Sequence, residues 1–195
     1  AAPPERDLEW SDQGMEGTFR FLIRIVRLVE DHKEFLRSPS GPIPFAKLVA
    51  GRALYRKAQQ TIQRVTQDIE NEFHFNTAIS ALMELANEIG RFDTVGQPDE
   101  EEERRFAYTY ALEILVILLS PFAPHLCEEL WECLDRKTSI FSTAWPTYDA
   151  AIIQAEEIVV VVQVDGKVRS RVYLPSSADE DAMRGAALAD ERVRG

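Results

Sequence analysis

Apolar residues recur three and four apart along most of the first 134 positions, and then the period changes. Phe19, Leu22, Ile23, Val26 and Val29 form one strip, and Phe21, Ile25 and Leu28 a second. Together they predict a helix from about Ser11, a good N-cap, to about Leu36 that packs on two sides. Ser38-Pro39-Ser40-Gly41-Pro42-Ile43-Pro44 is a loop by composition. A long helix over Phe45 to Asn71 follows, with the stripe Tyr55, Ala58, Ile62, Val65 and Ile69. Asn76 is positioned to cap the next helix, which carries Ile79, Leu82, Met83, Ala86 and Ile89 and ends near Gly90. Asp93 to Glu103 reads as an acidic loop and helix start, where negative charge complements the helix dipole. Tyr108, Ala111, Leu112, Leu115, Leu118 and Leu119 then mark a fourth long helix.

That helix is stopped by Ser120-Pro121, because proline has no N–H to give and its ring clashes with the preceding turn. Pro124 opens another helix at once, at a position where the missing N–H costs nothing. The outcome is an elbow with Phe122 wedged inside it and Leu126, Leu130 and Leu134 on one helix face. Thr138 to Gln154 drapes over the surface, anchored by Trp145-Pro146. From Ile158 to Val164 the chain is almost wholly apolar and β-branched, a strand by type and length. Asp165-Gly166 makes a hairpin turn, and Lys167 to Leu174 is the return strand, stopped by Pro175. Asp179 to Asp190 reads as a helix. The predicted fold is mainly α: an antiparallel helix bundle over residues 1–154, followed by a small, partial α+β segment over 155–195 made of a β-hairpin and a helix. A single hairpin of this size is marginal alone and leaves a sheet edge unpaired.

Net charge changes this picture only where it is concentrated. The chain of 195 residues carries −11 overall, which by itself argues against nucleic acid. Residues 1–60 hold 10 Lys/Arg against 8 Asp/Glu, residues 61–150 hold 6 against 17, and residues 151–195 hold 6 against 8. The acidity belongs to the middle and leaves both ends free to meet phosphate. No apolar run approaches the ~20 residues of a membrane span, and no secretory leader pattern is visible. The opening Ala1-Ala2-Pro3-Pro4 reads as a piece cut from a longer protein. Cys127 and Cys133 share a helix at a spacing unsuited to a disulfide, and with His125 they match no zinc pattern. A buried or half-buried structural role and a reducing cytoplasm fit them better. His32 and His74 are scattered in sequence, and His125 is assigned a structural place beside the elbow.

Leu118-Leu119-Ser120-Pro121-Phe122-Ala123-Pro124-His125-Leu126-Cys127-Glu128-Glu129-Leu130-Trp131 resembles the elbow of the anticodon-binding helical domain shared by leucyl-, isoleucyl- and valyl-tRNA synthetases. Phe75-Asn76-Thr77-Ala78-Ile79-Ser80-Ala81-Leu82-Met83-Glu84-Leu85 and Val162-Gln163-Val164-Asp165-Gly166-Lys167-Val168-Arg169 look like the bacterial leucyl member, the second stretch specifically so. The resemblance covers nearly the whole chain. It implies a parent enzyme that joins leucine to tRNA(Leu) using ATP with Mg. The HIGH and KMSKS strings of the adenylation site are absent, so catalysis and editing would belong to another domain of the same polypeptide. The resemblance therefore implies no catalytic, cofactor or metal residue in this stretch, and makes tRNA(Leu) and that catalytic domain its partners. The appendage after the bundle is expected to touch the elbow of the L-shaped tRNA. Asp165 stands where the family more often has Asn.

Binding, rather than catalysis, is what these residues can offer. Arg20, Arg24 and Arg27 share a narrow helix face, and Arg52 and Arg56 a second one; either could grip phosphate or simply form solvated ion pairs, for example with Glu16 or Asp31. Lys167, Arg169 and Arg171 alternate along one strand and are expected on one face, opposite Val168, Val172 and Leu174. Leu8 and Trp10 are expected to pack on the catalytic domain. Two other readings stand beside this one: the equivalent domain of an isoleucyl or valyl enzyme, and a helical interaction scaffold without an RNA role.

Overall fold

The computed structural model describes residues 12–37, 42–154, 157–164, 167–175 and 178–190. Ser11, Leu8, Trp10, the loop at 38–41 and the Asp165-Gly166 turn lie outside the described residues. The chain divides into two compact units, 1–149 and 150–195, where the sequence suggested a boundary at 154.

The first unit holds α1 (Asp12–Glu30), α2 (Lys33–Arg37), α3 (Arg52–Glu72), α4 (Phe75–Arg91), α5 (Glu101–Leu119) and α6 (Pro124–Cys133). Contacts fix the helix directions. Arg24 bonds Asn87, and Leu28 lies against Gly90, so α1 runs parallel to α4. Gly51 meets Ala107 and Tyr55 stacks on Tyr110, so α3 runs parallel to α5. The two pairs run in opposite senses, which makes an antiparallel four-helix bundle. Its centre is closed by Ile25, Ile62, Leu82, Leu85, Leu112 and Leu115, all fully buried. Each such side chain contributes roughly 1.5–3 kcal/mol on leaving water. α5 is apolar on every side from Ile114 to Leu119 and forms the spine of the core. At the elbow Ser120 caps α5, with its hydroxyl donating to the Ile117 carbonyl at 2.8 Å. Pro124 sits in the first turn of α6, and Leu130 and Leu134 are buried behind it while Leu126 is half-buried.

Four local features differ from the sequence expectation. The first helix breaks at Asp31–His32, because Leu28's carbonyl accepts a hydrogen bond at 3.0 Å from the hydroxyl of Tyr108. Phe19 is 64% exposed, so the buried stripe of α1 is Phe21, Ile25, Leu28 and Val29. α3 starts at Arg52, seven residues later than expected, because Gly51 adopts a left-handed φ of 89° that ends the preceding 3-10 turn at Phe45–Lys47. A Cβ there would meet the Ala107 Cβ at 2.5 Å, so the glycine is also what lets α3 approach α5. At α4 the N-cap position is His74, without a side-chain cap, and Asn76 lies inside the helix.

Trp145 anchors the strap as expected, its indole N–H donating to Thr66 Oγ1 at 2.9 Å. The buried Gln59 holds the strap's end through its side-chain oxygen, which accepts from the Asp149 N–H at 2.7 Å. His125 is exposed and fills no apolar face, contrary to its expected place; the exposed first turn of α6 carries it.

The second unit holds α7 (Ala150–Gln154), β1 (Glu157–Val164), β2 (Lys167–Pro175) and α8 (Glu180–Ala189). The strands pair antiparallel and, among the described residues, form a two-stranded sheet. Asp179 caps α8 by accepting from the Ala182 N–H at 2.8 Å. No helix among the described residues is long and apolar enough to cross a membrane.

Candidate nucleic-acid interface

The eight basic candidates fall into three groups. On α1, Arg20, Arg24 and Arg27 are all exposed along one edge. Arg20 pairs with Glu16 at 3.3 Å, a one-turn surface contact that contributes a few tenths of a kcal/mol. Arg24 donates to Asn87 Oδ1 on α4. Arg27's guanidinium makes no ion pair among the described residues and stays open to an incoming anion.

Arg52 and Arg56 belong to a different cluster. Arg52 donates to the carbonyls of Phe45 and, at 3.2 Å, Leu48, while its guanidinium lies 3.8 Å from the Phe45 ring centre. Arg56 faces the same ring at 5.6 Å. Both are half-buried, and Arg52 ties the 3-10 turn to the start of α3. Local sequence does not reveal this role, because the backbone acceptors only converge once Gly51 turns the chain. Glu103 completes the same corner: its Oε2 accepts from the N–H groups of Val49 at 2.6 Å and Ala50 at 2.7 Å. In the acidic run Glu100 pairs with Arg104 at 2.9 Å and Glu101 with Arg105. Glu103 is thus not merely a dipole complement but a crosslink between two segments.

The β2 group is rearranged by a bulge. Val162 pairs with Ser170 and Gln163 with Val168, so Arg169 is an extra residue with no partner position. Strict alternation fails there. Val168 falls on the ladder face of Val161 and Arg171, and the backbone of Lys167 pairs with Val164. The bulge therefore takes Arg169 out of the expected single basic face. Ser170 is buried and bonds Asp190 at the end of α8, which identifies the covered face. The open face presents exposed Val161, Gln163, Val168 and Arg171, and Arg169 is exposed in the bulge. Among the described residues Arg169 and Arg171 make no ion pair.

Buried polar groups serve the scaffold. Tyr108 is fully buried and also lies 2.9 Å from His32 Nδ1; burial first, then the Asp31 charge, holds its hydroxyl well above the usual phenol range. Burial pushes the Cys127 thiol up to about 12, and Cys133 is half-buried. Lys57, by hydrogen bond and charge, lowers Glu84, with Arg64 assisting. Among the described residues no group of His, Cys, Asp and Glu side chains is placed to hold a metal ion. The arrangement offers guanidinium donors and a partly apolar strand face, the chemistry of phosphate and sugar contact.

Residues 51–183, about two thirds of the chain, match the anticodon-binding domain of tRNA ligase. The chain belongs to that family. The match runs from the glycine that opens α3 through the elbow and the hairpin into α8. Among curated relatives, the leucine–tRNA ligase of Geotalea daltonii is 46% identical over 195 residues and that of Syntrophobacter fumaroxidans 47% identical over 199. Each alignment covers 100% of this chain and 23% of the relative, so the chain spans about a quarter of their length. A crystal structure of the ternary complex of Agrobacterium radiobacter K84 agnB2 LeuRS with tRNA and LeuAMS superposes with a TM-score of 0.67 at 32% identity. That alignment covers 96% of this chain and 23% of the other. The family match thus takes in α3 to α6 and most of the second unit, and the similarity to the leucine–tRNA ligases covers α1 and α2 as well.

Proposed function

We propose that this chain is the RNA-holding part of a leucine–tRNA ligase, an ATP-dependent enzyme of the cytoplasm that joins leucine to tRNA(Leu). The observation that carries the reading is the 46–47% identity to leucine–tRNA ligases sustained over the bundle and the hairpin unit together. In this reading adenylate formation, with its ATP and Mg, and editing take place in other domains of the polypeptide. The bundle and the β2–α8 unit hold the tRNA so that its acceptor end reaches those sites. Arg169 and Arg171 on the open side of the hairpin and Arg27 on α1 are the phosphate contacts favoured by their exposure, and Lys167 is the third cation of the same strand. Arg20 and Arg24 contribute after releasing Glu16 and Asn87; Arg52 and Arg56 act mainly by shaping the Phe45 corner.

The test is a charging assay of the full-length gene product with leucine, isoleucine and valine in parallel. Leucine-dependent esterification of tRNA is expected, with the other two amino acids at background. Charging with isoleucine or valine instead, or no charging, contradicts the proposal.

A further inference from the structure

Gln59, on α3, is only 4% exposed. Long polar side chains are rarely buried, since an amide taken out of water must find its hydrogen bonds inside the fold. Thr61, the other buried polar side chain of the first unit among the described residues, returns its hydroxyl to the Lys57 carbonyl of its own helix. Gln59 instead joins two other segments. Its Oε1 accepts from the Asp149 N–H at 2.7 Å, and its Nε2 donates to the Tyr110 hydroxyl on α5. A backbone N–H can only donate, so the amide oxygen must face the strap and the amide nitrogen the phenol. Tyr110 is itself held by Tyr55, whose ring stacks on it with centres 4.3 Å apart. The group that grips Asp149 is therefore oriented by the bundle on both sides.

What it grips is the end of the strap. The strap starts where the Ser139 hydroxyl and the Ile140 N–H donate to Glu128 Oε2, each at 3.1 Å. It is then held at Trp145 by Thr66 and at Asp149 by Gln59. Thr66 and Gln59 lie about two turns apart on one face of α3, so the strap runs antiparallel to that helix. Asp149 is also the last residue of the first unit. α7 starts at the next position, and β1 begins eight residues after the clamp. A tether this short searches a volume centred on its fixed end, and the effective concentration of whatever it carries depends on where that end is held. A methionine has similar length and would fill the same space beside Ala58 and Ile62. The amide therefore contributes direction rather than volume.

We infer that Gln59 is a positioning residue for the charging of tRNA: by clamping Asp149 to Tyr110 it fixes the point from which the hairpin unit reaches RNA. This rests on the proposed function, since that reading supplies the RNA. Gln59 touches neither the RNA nor the reacting groups. It acts through the strap on Arg169 and Arg171, whose search for phosphate is centred where the strap ends. One neutral hydrogen bond favours the clamped strap over the released one by roughly two- to tenfold, and that sets the size of the effect.

Steady-state kinetics of the full-length enzyme test it, with Gln59→Met and with Gln59→Asn, which stays polar but is one methylene short of both partners. Each is expected to raise KM for tRNA by roughly two- to tenfold. The kcat of charging at saturating tRNA, and leucine-dependent pyrophosphate exchange without tRNA, are expected to stay at the parent's values. The same changes are then made in an Arg169→Ala, Arg171→Ala background. There they are expected to add nothing to KM, because the clamp has no contact left to place. A merely structural Gln59 predicts otherwise: lower pyrophosphate exchange, or the same KM rise in both backgrounds, and either result overturns the inference. An unchanged KM for tRNA in both Gln59 variants overturns it as well. Charging by the unsubstituted enzyme separates the two claims. Leucine charging with a KM indifferent to Gln59 defeats the clamp alone, whereas absence of leucine charging defeats the functional reading and the clamp's role with it.

Discussion

Glu103→Ala is the most informative single perturbation of the scaffold, because one carboxylate ties α5 to the turn that starts α3. Its Oε2 accepts from the N–H groups of Val49 at 2.6 Å and Ala50 at 2.7 Å. Hydrogen bonds to a charged group contribute about 1.5–3 kcal/mol each, and an orphaned N–H at a helix start costs roughly 0.5–2 kcal/mol. The two bonds share one charge and the side chain is half-buried, so we expect a total loss of about 2–3 kcal/mol for Glu103→Ala and about 1 kcal/mol for Glu103→Gln. At roughly 2–4 °C per kcal/mol for a chain of this size, the alanine variant melts about 5–10 °C lower. Far-ultraviolet circular dichroism follows the melt. Glu101→Ala is the control: it removes a one-turn pair in which Glu101 is exposed and Arg105 mostly covered, and shifts the midpoint by ~2 °C or less. If Glu103→Ala melts no lower than Glu101→Ala, the crosslink is a surface contact and the reasoning fails.

Gly51→Ala forces a side chain into a left-handed φ and against the Ala107 Cβ, and is expected to cost more than ~2 kcal/mol by denaturant titration; a neutral result removes the close α3–α5 approach. Tyr108→Phe keeps the ring but leaves the Leu28 carbonyl without its hydroxyl donor, for an expected loss of about 1–1.5 kcal/mol in the same assay; a gain in stability contradicts it. Tyr108 and Tyr110 are both held above the ordinary phenol range, chiefly by burial. Their contribution is therefore complete below a pH of about 10 and lost as the pH climbs through the folded-state values. Phenolate absorbance should show two of the five tyrosines ionising late and together with loss of helix. Native thiol labelling at mildly alkaline pH should modify Cys133 and spare Cys127 until unfolding; equal rates contradict the burial of Cys127.

The bundle was legible because its helices are amphipathic at one period and its breaks are chemical. Ser120-Pro121 and Pro124 dictate an elbow whatever surrounds them. The change to β-branched residues at Ile158 announces strands in the same way. What escaped the sequence depends on distant partners. The start of α3 is set by Gly51 meeting Ala107, and the break after Glu30 by Tyr108 reaching Leu28, some 80 positions away. Glu103 looked like any acid in an acidic run, since nothing local reveals which backbone N–H groups a folded chain will bring to it. The hairpin register was hidden for another reason. Residues 158–162 are apolar on both faces of β1, so alternation could not fix the pairing, and only the ladder exposes the bulge at Arg169. Of the candidate RNA contacts, the strand cations were visible as charges, but the bulge that takes Arg169 out of the ladder was not.

We propose that RNA is held through phosphate contacts on the hairpin. The direct measurement is the salt dependence of tRNA affinity for the full-length enzyme, compared with the Lys167→Ala, Arg169→Ala, Arg171→Ala triple variant. Each lost phosphate contact reduces the slope of log affinity against log salt by about 0.7–0.9. The triple variant is expected to show a slope shallower by roughly two to three and weaker binding at low salt. An unchanged slope and affinity contradict it.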